Sequence, residues 1–349
     1  MKTAIAAPEL ERLLELVQRF NDQPVLMLVD LVADRFISGS PKRISREAPV
    51  LILRFESELV TPGGGANAVA NVAALGGTPL PLGVVGDDAS GRALLSDLER
   101  RGVSTAGILT RPGYQTPTKT RILGGGRHAI KQQIVRYDIE EAQPLAAAES
   151  EELARRMRSW SGRAGVCVMS DYGYGTVLPE LLPAVREALN EPAMVVADSR
   201  FQLERFHGVD AVTPNEEETE ILLGEPLGED AEQVAIQGRE ILSQLAARAV
   251  LITRGSHGMN LVSADAAVEI PVHGTDQVAD VTGAGDTVIG TFALALAAGA
   301  DPLEAALLAN YAGGVVVMKT GTATLTRDEL LGAIRSDQRL IKELRWAKS

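Results

Sequence analysis

The chain has 349 residues, of which 45% are hydrophobic and 23% charged, a composition typical of a globular protein with a large core. Its formal net charge of -12 argues against non-specific binding to nucleic acid or to an anionic membrane. The single cysteine, Cys167, excludes an intrachain disulfide, and its apolar surroundings predict a buried thiol. No secretory leader or membrane span is recognisable, so we expect a cytoplasmic protein with small-molecule partners and neither nucleic acid nor membrane among them.

The chain begins with a predicted helix. Apolar residues recur at helical spacing over residues 10–20, and Pro24 limits the helix at its carboxyl end. We interpret residues 1–24 as an N-terminal helical extension, residues 25–330 as the main domain and residues 331–349 as a C-terminal helix. Residues 25–29 and 50–55 are predicted strands, and residues 67–75 form an alanine-rich predicted helix.

Two segments, at about 35–55 and 113–140, differ from the rest. In the second, Thr, Ile, Val and Tyr alternate with Lys, Arg and Gln around a turn at residues 124–126. This alternation is typical of a half-exposed hairpin rather than of a strand covered on both faces. We therefore predict a small sheet that projects from the main domain as a lid.

After residue 150 the pattern becomes regular. The apolar stretches GVCVMSDYG, AMVVADSR, DAVTPN and AVLITRGSHG each end in polar or small residues, and helical segments separate most of them. This alternation predicts an α/β fold with helices on both faces of a mostly parallel sheet. Ligands in such folds bind beyond the carboxyl ends of the strands, where these polar residues fall.

The stretch DVTGAGDTVIG places a glycine turn directly before an apolar helix. The backbone amides of Thr282, Gly283, Ala284 and Gly285, with the helix dipole, could hold a phosphoryl group. Asp286 in the first helical turn could accept a proton from an attacking hydroxyl. The alternative is that Asp286 only complements the helix dipole. The spacing excludes a Walker A loop, which needs Gly-x-x-x-x-Gly-Lys-Ser/Thr.

A second glycine cluster, PGGGANAVAN, opens the helix at residues 67–75. Its match to a dinucleotide fingerprint is weak because the preceding SELVTP is a poor buried strand. We favour close backbone approach to a polyhydroxylated ligand, with Asn67 as a hydrogen-bonding partner. A helix start with a solvated Asn67 is the alternative. Asp34, after the first strand, could accept hydrogen bonds from two sugar hydroxyls or lie in a solvated turn.

Two further strand ends carry polar residues. In TPNEEETE, Asn215 and Glu218 have the spacing of a capping box, and they could also orient water on Mg²⁺. In LITRGSHG, Thr253 and Gly255 at the end of a strand are suited to contact a phosphate. The alternative is that they form an ordinary strand-end turn.

Together, GGGANAVANVAALGG and DVTGAGDTVIG resemble the ribokinase-like (PfkB-type) sugar kinases. The resemblance implies a three-layer α/β/α domain with a β-sheet lid, Asp286 as catalytic base, and an anion hole at residues 283–285. It also implies that the sugar is bound by Gly64, Gly65, Asn67 and Asp34. Asn215 and Glu218 would face Mg²⁺ and phosphate, with Glu218 acting through water. Thr253 and Gly255 would lie on the nucleotide side.

A narrower resemblance covers residues 25–326. The stretches PTKTRIL, VRYDIE, SDYGYG and ANYAGGVVVMKTGTATLT are similar to the kinase module of ADP-heptose synthesis, which phosphorylates the anomeric 1-hydroxyl of D-glycero-β-D-manno-heptose 7-phosphate. This likeness implies that Asn310 lies beside adenine and Arg136 near the sugar phosphate. Val29-Asp30 replaces the usual Gly-Asp, Asp198-Ser199-Arg200 replaces Asp-Pro-Lys, and the nucleotidyltransferase module often fused behind this kinase has no counterpart here.

The sequence thus predicts an ATP-dependent kinase of a sugar or sugar phosphate that uses Mg²⁺ and forms a homodimer through its lid sheets. Use of a monovalent cation is left open. One alternative is a ribokinase- or fructokinase-like enzyme for an unphosphorylated sugar. The other is a catalytically silent nucleotide- or sugar-binding regulator, which would be expected to lack Asp286 or the anion-hole glycines.

Overall fold

The computed structural model of the chain describes residues 7–126, 131–160, 162–274 and 279–347. Residues 1–6 of the predicted N-terminal extension, 127–130 of the predicted lid hairpin and 348–349 of the predicted C-terminal helix lie outside the described residues.

The described strands form two sheets, a central one and a smaller one. In chain order they are β1 (Pro24–Val29), β2 (Leu31–Ile44), β3 (Leu51–Gly64), β4 (Thr78–Gly86), β5 (Ile108–Arg111), β6 (Thr118–Gly124), β7 (Gln132–Ile139), β8 (Val166–Asp171), β9 (Met194–Ser199), β10 (Ala211–Val212), β11 (Ala249–Thr253), β12 (Met259–Ser263), β13 (Ala267–Ile270) and β14 (Arg345–Trp346).

The α-helices of the same residues are α1 (Leu10–Gln18), α2 (Gly65–Ala74), α3 (Ala89–Arg100), α4 (Ala147–Ser159), α5 (Leu182–Ala188), α6 (Glu216–Leu223), α7 (Ala231–Leu245), α8 (Ala284–Ala297), α9 (Pro302–Val316), α10 (Arg327–Ser336) and α11 (Arg339–Lys342). None of the helices in the described part of the chain is long and apolar enough to cross a membrane.

The central sheet has the strand order β14-β13-β12-β11-β10-β9-β8-β1-β4-β5. The strands from β11 to β5 pair in parallel, whereas β12, β13 and β14 are antiparallel. One core lies between this sheet and helices α1, α2, α3, α8, α9 and α10. A second core lies on the other face, against α4, α5 and α7. The predicted three-layer α/β/α arrangement is therefore confirmed.

Helix α8 is deeply enclosed, and its first turn lies near the carboxyl ends of the strands. Every residue from 286 to 296 is buried, because the helix packs against α2, α9 and β8. Its uncharged run follows from this position, since a helix that meets protein on all sides cannot carry a polar face.

The smaller sheet has the order β3-β2-β6-β7. Strands β2 and β6 pair in parallel, while β2–β3 and β6–β7 are antiparallel. This lid is longer than predicted because β2 begins at Leu31 and β3 continues through SELVTP to Gly64. SELVTP is a poor candidate for a buried strand because it contains serine and glutamate. In the structure β3 is largely exposed, so these polar side chains meet solvent.

The C-terminal region differs from the single helix predicted over 331–349. Helix α10 ends at Ser336, a short helix α11 follows, and β14 adds an edge strand to β13. Asp337 interrupts the helix with φ -129° and ψ 75°. Its carboxylate contacts both Arg339 and His273, which ties this end of the chain to the central domain.

The N-terminal helix α1 is part of the main core. Leu13, Leu16, Val17 and Phe20 are each 0% exposed and belong to the core on the α8 side of the sheet. Arg12 bridges to Glu304 in α9 at 2.9 Å. Helix α1 and Phe20 therefore pack as an integral part of this domain.

Candidate active site

The start of helix α8 lies at the carboxyl ends of the parallel strands. Gly283 caps the helix in the left-handed region, with φ 78°, and an added Cβ there would collide with the side chain of Asn67. The amides of Gly285 and Asp286, in the first turn, have no acceptor in a preceding turn. These amides and the helix dipole create a site that favours an anion.

Asp286 is 4% exposed and has two hydrogen-bond donors. The Tyr172 hydroxyl lies 2.6 Å from Oδ1, and the Asn67 side-chain amide lies 3.2 Å from Oδ2. Burial raises the pKa of Asp286 to about 7, against the opposing effect of these two hydrogen bonds. A carboxylate whose pKa is close to neutral is suited to accept a proton and release it again.

Asn67 lies in the first turn of α2, and its side chain is fully engaged. Its amide donates to Asp286 and to the Gly283 carbonyl, at 3.3 Å, while its Oδ1 accepts from Asn71. The sequence predicted that Asn67 would hydrogen-bond the sugar. The structure places this side chain against the predicted base, where it joins the two glycine motifs, and its contact with a sugar stays a prediction.

Asp34 of β2 is 3% exposed and pairs with Arg121 of β6 at 2.5 Å. An added Cβ at Gly63 would lie 2.5 Å from Asp34 Oδ2, so only glycine fits beside this carboxylate. The charge of Asp34 also contributes to the raised pKa of Asp286. A buried carboxylate and guanidinium provide both an acceptor and a donor for sugar hydroxyls.

The two remaining glycines of the first motif face protein. Gly64 has φ 51°, and an added Cβ would lie 2.8 Å from the Val32 side chain and 3.3 Å from the Tyr172 ring. An added Cβ at Gly65 would lie 2.5 Å from the Val29 side chain. Gly65 therefore allows α2 to approach β1, and Gly64 allows the lid strand to turn into the helix.

A cavity of about 670 Å³ adjoins the other side of the α8 N-terminus. It brings together four predicted nucleotide-side residues, Thr253, Gly255, Ala284 and Gly285, with Asn310 of α9. The Asn310 amide donates to the Pro271 carbonyl at 2.6 Å, and His273 also lines the cavity. The volume falls in the range of small-molecule sites.

Asn215 and Glu218 form the predicted capping box at the start of α6. The Asn215 side chain accepts from the Glu218 amide and the Glu218 side chain accepts from the Asn215 amide, both at 2.9 Å. Burial raises the pKa of Glu218, and burial together with Glu218 and Asp286 raises the pKa of Asp198. Buried acidic groups with raised pKa values are suited to a cation, although no cluster of three or more possible metal ligands occurs among the described residues.

Four basic side chains surround the outer part of the site, and we call Lys119, Arg121, Arg136 and Arg200 the basic cluster. Burial, with Arg200 and Arg136 nearby, lowers the pKa of Lys119. Arg136 lies directly opposite Arg121 in the β6–β7 ladder, and its guanidinium pairs with Asp138. The sequence predicted Arg136 near a sugar phosphate, and the structure places it in this cluster, on the lid.

Sequence reasoning missed Tyr172, Lys119 and Arg121 as individual residues of the site. Tyr172 directly follows β8, at the sheet edge where ligands bind. This position in the sequence could have identified it as a candidate site residue. Lys119 and Arg121 alternate with threonine on β6, so they share one face of the lid. Which face of the lid meets the site depends on tertiary packing.

Two residues at the positions that depart from the expected pattern have clear structural roles: Asp30, which the pattern retains beside Val29, and Ser199, which stands in place of proline. Asp30 is completely buried and accepts hydrogen bonds from the amides of Tyr172, Tyr174 and Thr176. Ser199 donates its hydroxyl to Asp171 at 2.6 Å, a bond that proline at this position could not make. Both residues fix the loop that follows β8.

Comparison with known proteins shows the family and the fold. The sequence profile of the pfkB family carbohydrate kinases matches residues 25–329. The bifunctional protein HldE of Mesorhizobium japonicum is 41% identical over 331 residues, which are 94% of this chain and 65% of that protein. HldE of Paramagnetospirillum magneticum is 38% identical over 337 residues, 96% of this chain and 68% of that protein. The chain thus spans about two-thirds of the length of these relatives.

Solved structures share the fold. Arabidopsis thaliana ribokinase, complexed with ribose and ATP, superposes with a TM-score of 0.70 at 20% identity, covering 90% of this chain and 99% of that chain. Phosphofructokinase-2 from Escherichia coli, in complex with substrates and products, gives 0.71 at 20% identity with the same coverage. On its sequence, its ribokinase-like fold and the extent of the match, the chain belongs to the pfkB family of carbohydrate kinases.

Proposed function

We propose that this carbohydrate kinase transfers the γ-phosphate of ATP to a sugar phosphate, with the anomeric hydroxyl of a heptose 7-phosphate as its acceptor. One observation carries the proposal: Asp286 lies at the N-terminus of α8, between the 670 Å³ cavity and the Asp34–Arg121 pair. A phosphate at the α8 amides would thus face an acceptor held on the lid side.

Asp286 would act as the general base. The acceptor hydroxyl gives its proton to the Asp286 carboxylate as its oxygen bonds to the γ-phosphorus, and the bond from that phosphorus to the β-phosphate oxygen breaks to release ADP. The first-turn amides of α8 stabilise the negative charge on the transferring group. The pKa of Asp286, about 7, permits both proton uptake and return to solvent.

The acidic pair Asp198 and Glu218 is suited to Mg²⁺. Burial raises the pKa of both carboxyls, and the charge of Glu218 adds to the raised pKa of Asp198, an effect that a divalent cation would relieve. Mg²⁺ commonly keeps several waters and is held by one or two carboxylates together with substrate phosphates. When bound, the ion would neutralise phosphate charge. Activity in potassium compared with sodium salts tests the predicted option of a monovalent cation.

The basic cluster favours a phosphorylated acceptor over a neutral sugar. Lys119, Arg121 and Arg136 of the lid and Arg200 after β9 carry four positive charges, one more than the paired carboxylates Asp34, Asp138 and Glu140 neutralise. The resemblance of the sequence to heptose 7-phosphate kinases and the 38–41% identity to HldE proteins support the heptose assignment. Consumption of ATP supports the predicted cytoplasmic location.

The lid supports the proposed homodimer. Apolar side chains on or beside its strands are 42–63% exposed, namely Ile44, Val50, Leu51, Phe55, Leu59, Ile134, Val135 and Tyr137. An apolar surface of this kind marks an interaction site, and we propose a second copy of the chain as its occupant.

The test is ADP release with a panel of acceptors. The panel contains D-glycero-β-D-manno-heptose 7-phosphate, the same heptose without phosphate, ribose, fructose and fructose 6-phosphate. We expect the heptose 7-phosphate to give the highest kcat/KM and Asp286→Asn to lose at least about 100-fold in kcat with ATP binding retained. Faster turnover of ribose or fructose would favour the unphosphorylated-sugar alternative. Absence of sugar-dependent ADP release with every acceptor would exclude the kinase proposal and favour a silent binding protein.

A further inference from the structure

The Tyr172 hydroxyl makes the shortest contact to the predicted base. It donates to Asp286 Oδ1 at 2.6 Å from the loop that follows β8, whereas Asn67 binds the other carboxylate oxygen at 3.2 Å from α2. The two donors come from different elements and bind different oxygens. Together they define the orientation of the carboxylate plane, which a single donor would leave free to rotate.

The backbone around Tyr172 is fixed by Asp30. Asp30 Oδ2 accepts from the amides of Tyr172 at 2.8 Å and Tyr174 at 3.0 Å, and Oδ1 accepts from Thr176 at 3.1 Å. Asp171 adds a bond to the Gly173 amide at 2.9 Å. A loop whose successive amides are held by two carboxylates places its side chains with little freedom.

The Tyr172 ring is held on both sides. Gly64 approaches so closely that an added Cβ would lie 3.3 Å from Cε2, and the Lys119 ammonium lies 5.7 Å from the ring centroid. The Lys119 contact is a cation–π interaction between the lid and the strand-end loop. Tyr172 thus links the basic cluster to Asp286.

The charges around the pair keep Tyr172 a donor. Burial and the carboxylates of Asp286, Asp198 and Glu218 raise the pKa of Tyr172 well above its usual value of 10. Asp286 interacts with Tyr172, Asn67 of α2, Asp34 of β2, Lys119 of β6 and Asp198 of β9. The two aspartates oppose its ionisation, whereas the other three groups favour it. A hydroxyl that stays protonated stabilises the charged form of its partner at every working pH.

We propose that Tyr172 is a positioning residue for Asp286: its hydroxyl orients the carboxylate toward the acceptor and stabilises its ionised form, with Asp30 holding the loop in place. The orienting role in turnover rests on the proposed function of Asp286 as base. The hydrogen-bonded pair itself does not depend on which sugar is phosphorylated.

The pair can be tested without an acceptor. The chain has 5 tyrosines, so ¹³Cζ-tyrosine labelling gives a simple NMR spectrum, and Tyr172→Phe identifies the Tyr172 resonance by its loss. We expect this resonance to titrate with a midpoint near pH 7 in the wild type, the pKa of Asp286, and to lose that step in Asp286→Asn. A Tyr172 resonance that stays flat between pH 5 and 9 would overturn the proposal.

Kinetics then test the consequence for turnover, with heptose 7-phosphate as acceptor. In Tyr172→Phe we expect kcat to fall about tenfold at pH 8, with the KM for ATP unchanged, and the acid limb of kcat/KM to move about one pH unit upward. Tyr174→Phe is the matched control, because Tyr174 lies in the same loop but its hydroxyl donates to Glu140, at 2.9 Å, and not to Asp286.

Two results would contradict the proposed role of Tyr172. One is an acid limb in Tyr172→Phe that coincides with that of wild type and Tyr174→Phe. The other is an equal loss of kcat in both variants, as expected if the loop were only structural. If the wild type turned over no acceptor while the NMR step at pH 7 was present, the proposed function would fail and the Tyr172–Asp286 pair would stand.

Discussion

Asn67 and Asp286, 219 positions apart in the chain, are joined by a hydrogen bond of 3.2 Å between the Asn67 amide and Asp286 Oδ2. Asn67 lies in the first turn of α2 and Asp286 in the first turn of α8, so the bond joins two helix N-termini. The same amide also reaches the Gly283 carbonyl. One side chain thereby fixes the glycine turn and the predicted base together.

Asn67→Asp tests this link. A second carboxylate of the same shape would lie beside Asp286 and raise its pKa further, because like charges disfavour ionisation. We expect kcat at pH 7 to fall at least tenfold, with partial recovery toward pH 9, as measured by ADP release. Asn190→Asp is the control, since Asn190 is exposed and its amide donates to the Gly162 carbonyl. An unchanged pH profile in Asn67→Asp would argue against the link.

The pH dependence of the wild type follows from Asp286. Its pKa of about 7 predicts that kcat/KM falls below pH 7, as the base becomes protonated. Rates measured from pH 5 to 9 would show this limb. A plateau extending to pH 5 would contradict the role of Asp286 as base.

The same group predicts the pH dependence of stability. Because the pKa of Asp286 is raised from 3.8 in the folded state, its protonated form contributes stability below pH 3.8 that is lost as pH rises through 7. The difference in Tm between Asp286→Asn and wild type should therefore shift in favour of the variant between pH 4 and pH 8. Thermal unfolding at these two pH values measures the change, and a constant difference would count against the raised pKa.

Gly285→Ala separates stability from nucleotide binding. An added Cβ at Gly285 meets no protein atom within 4 Å, but it would enter the cavity beside the α8 amides. We expect a stability gain of about 0.5–1 kcal/mol from the better helix former, with the KM for ATP raised at least tenfold. Gly332→Ala in α10 is the matched control, because its added Cβ also meets open space, away from the cavity. Equal ATP affinity in the two variants would disprove phosphate contact at Gly285.

Lys119→Met tests the phosphorylated acceptor. Removal of this half-buried cation should raise the KM for heptose 7-phosphate at least tenfold and leave the KM for the unphosphorylated heptose almost unchanged. Lys131→Met serves as the control, since Lys131 lies at the far end of the lid hairpin and pairs with Glu56. If Lys119→Met raised the KM for both acceptors equally, the basic cluster would not recognise the phosphate of the acceptor.

Phe55→Asp tests the lid dimer. Phe55 is 63% exposed, and a buried charge at an apolar dimer interface should shift the protein from dimer to monomer in light-scattering chromatography. Ile236→Asp is the control, because Ile236 is 64% exposed on α7, away from the lid. A wild type that is already monomeric, or equal dissociation of both variants, would refute the lid interface.

The sequence alone determined much of the fold, because its signals are local. Apolar strands ending in polar residues predicted the parallel sheet and the edge at which the site lies. The capping box at Asn215 and Glu218 was readable from its spacing, since both partners lie within one helical turn. The glycine turn before α8 was equally clear, because a left-handed residue at Gly283 is a local requirement.

Tertiary structure decided the roles of side chains that act across the chain. Asn67 appeared free for a sugar until the packing of α2 against α8 directed its amide onto Asp286. Tyr172 gained its meaning only because Asp30 holds its loop beside α8. Lys119 and Arg121 alternate on β6, but the pairing of the lid strands, not the alternation, directs them to Asp34 and Tyr172. The spacing of residues along one helix or strand predicts the structure of that element. A site built from several elements depends on how those elements pack together.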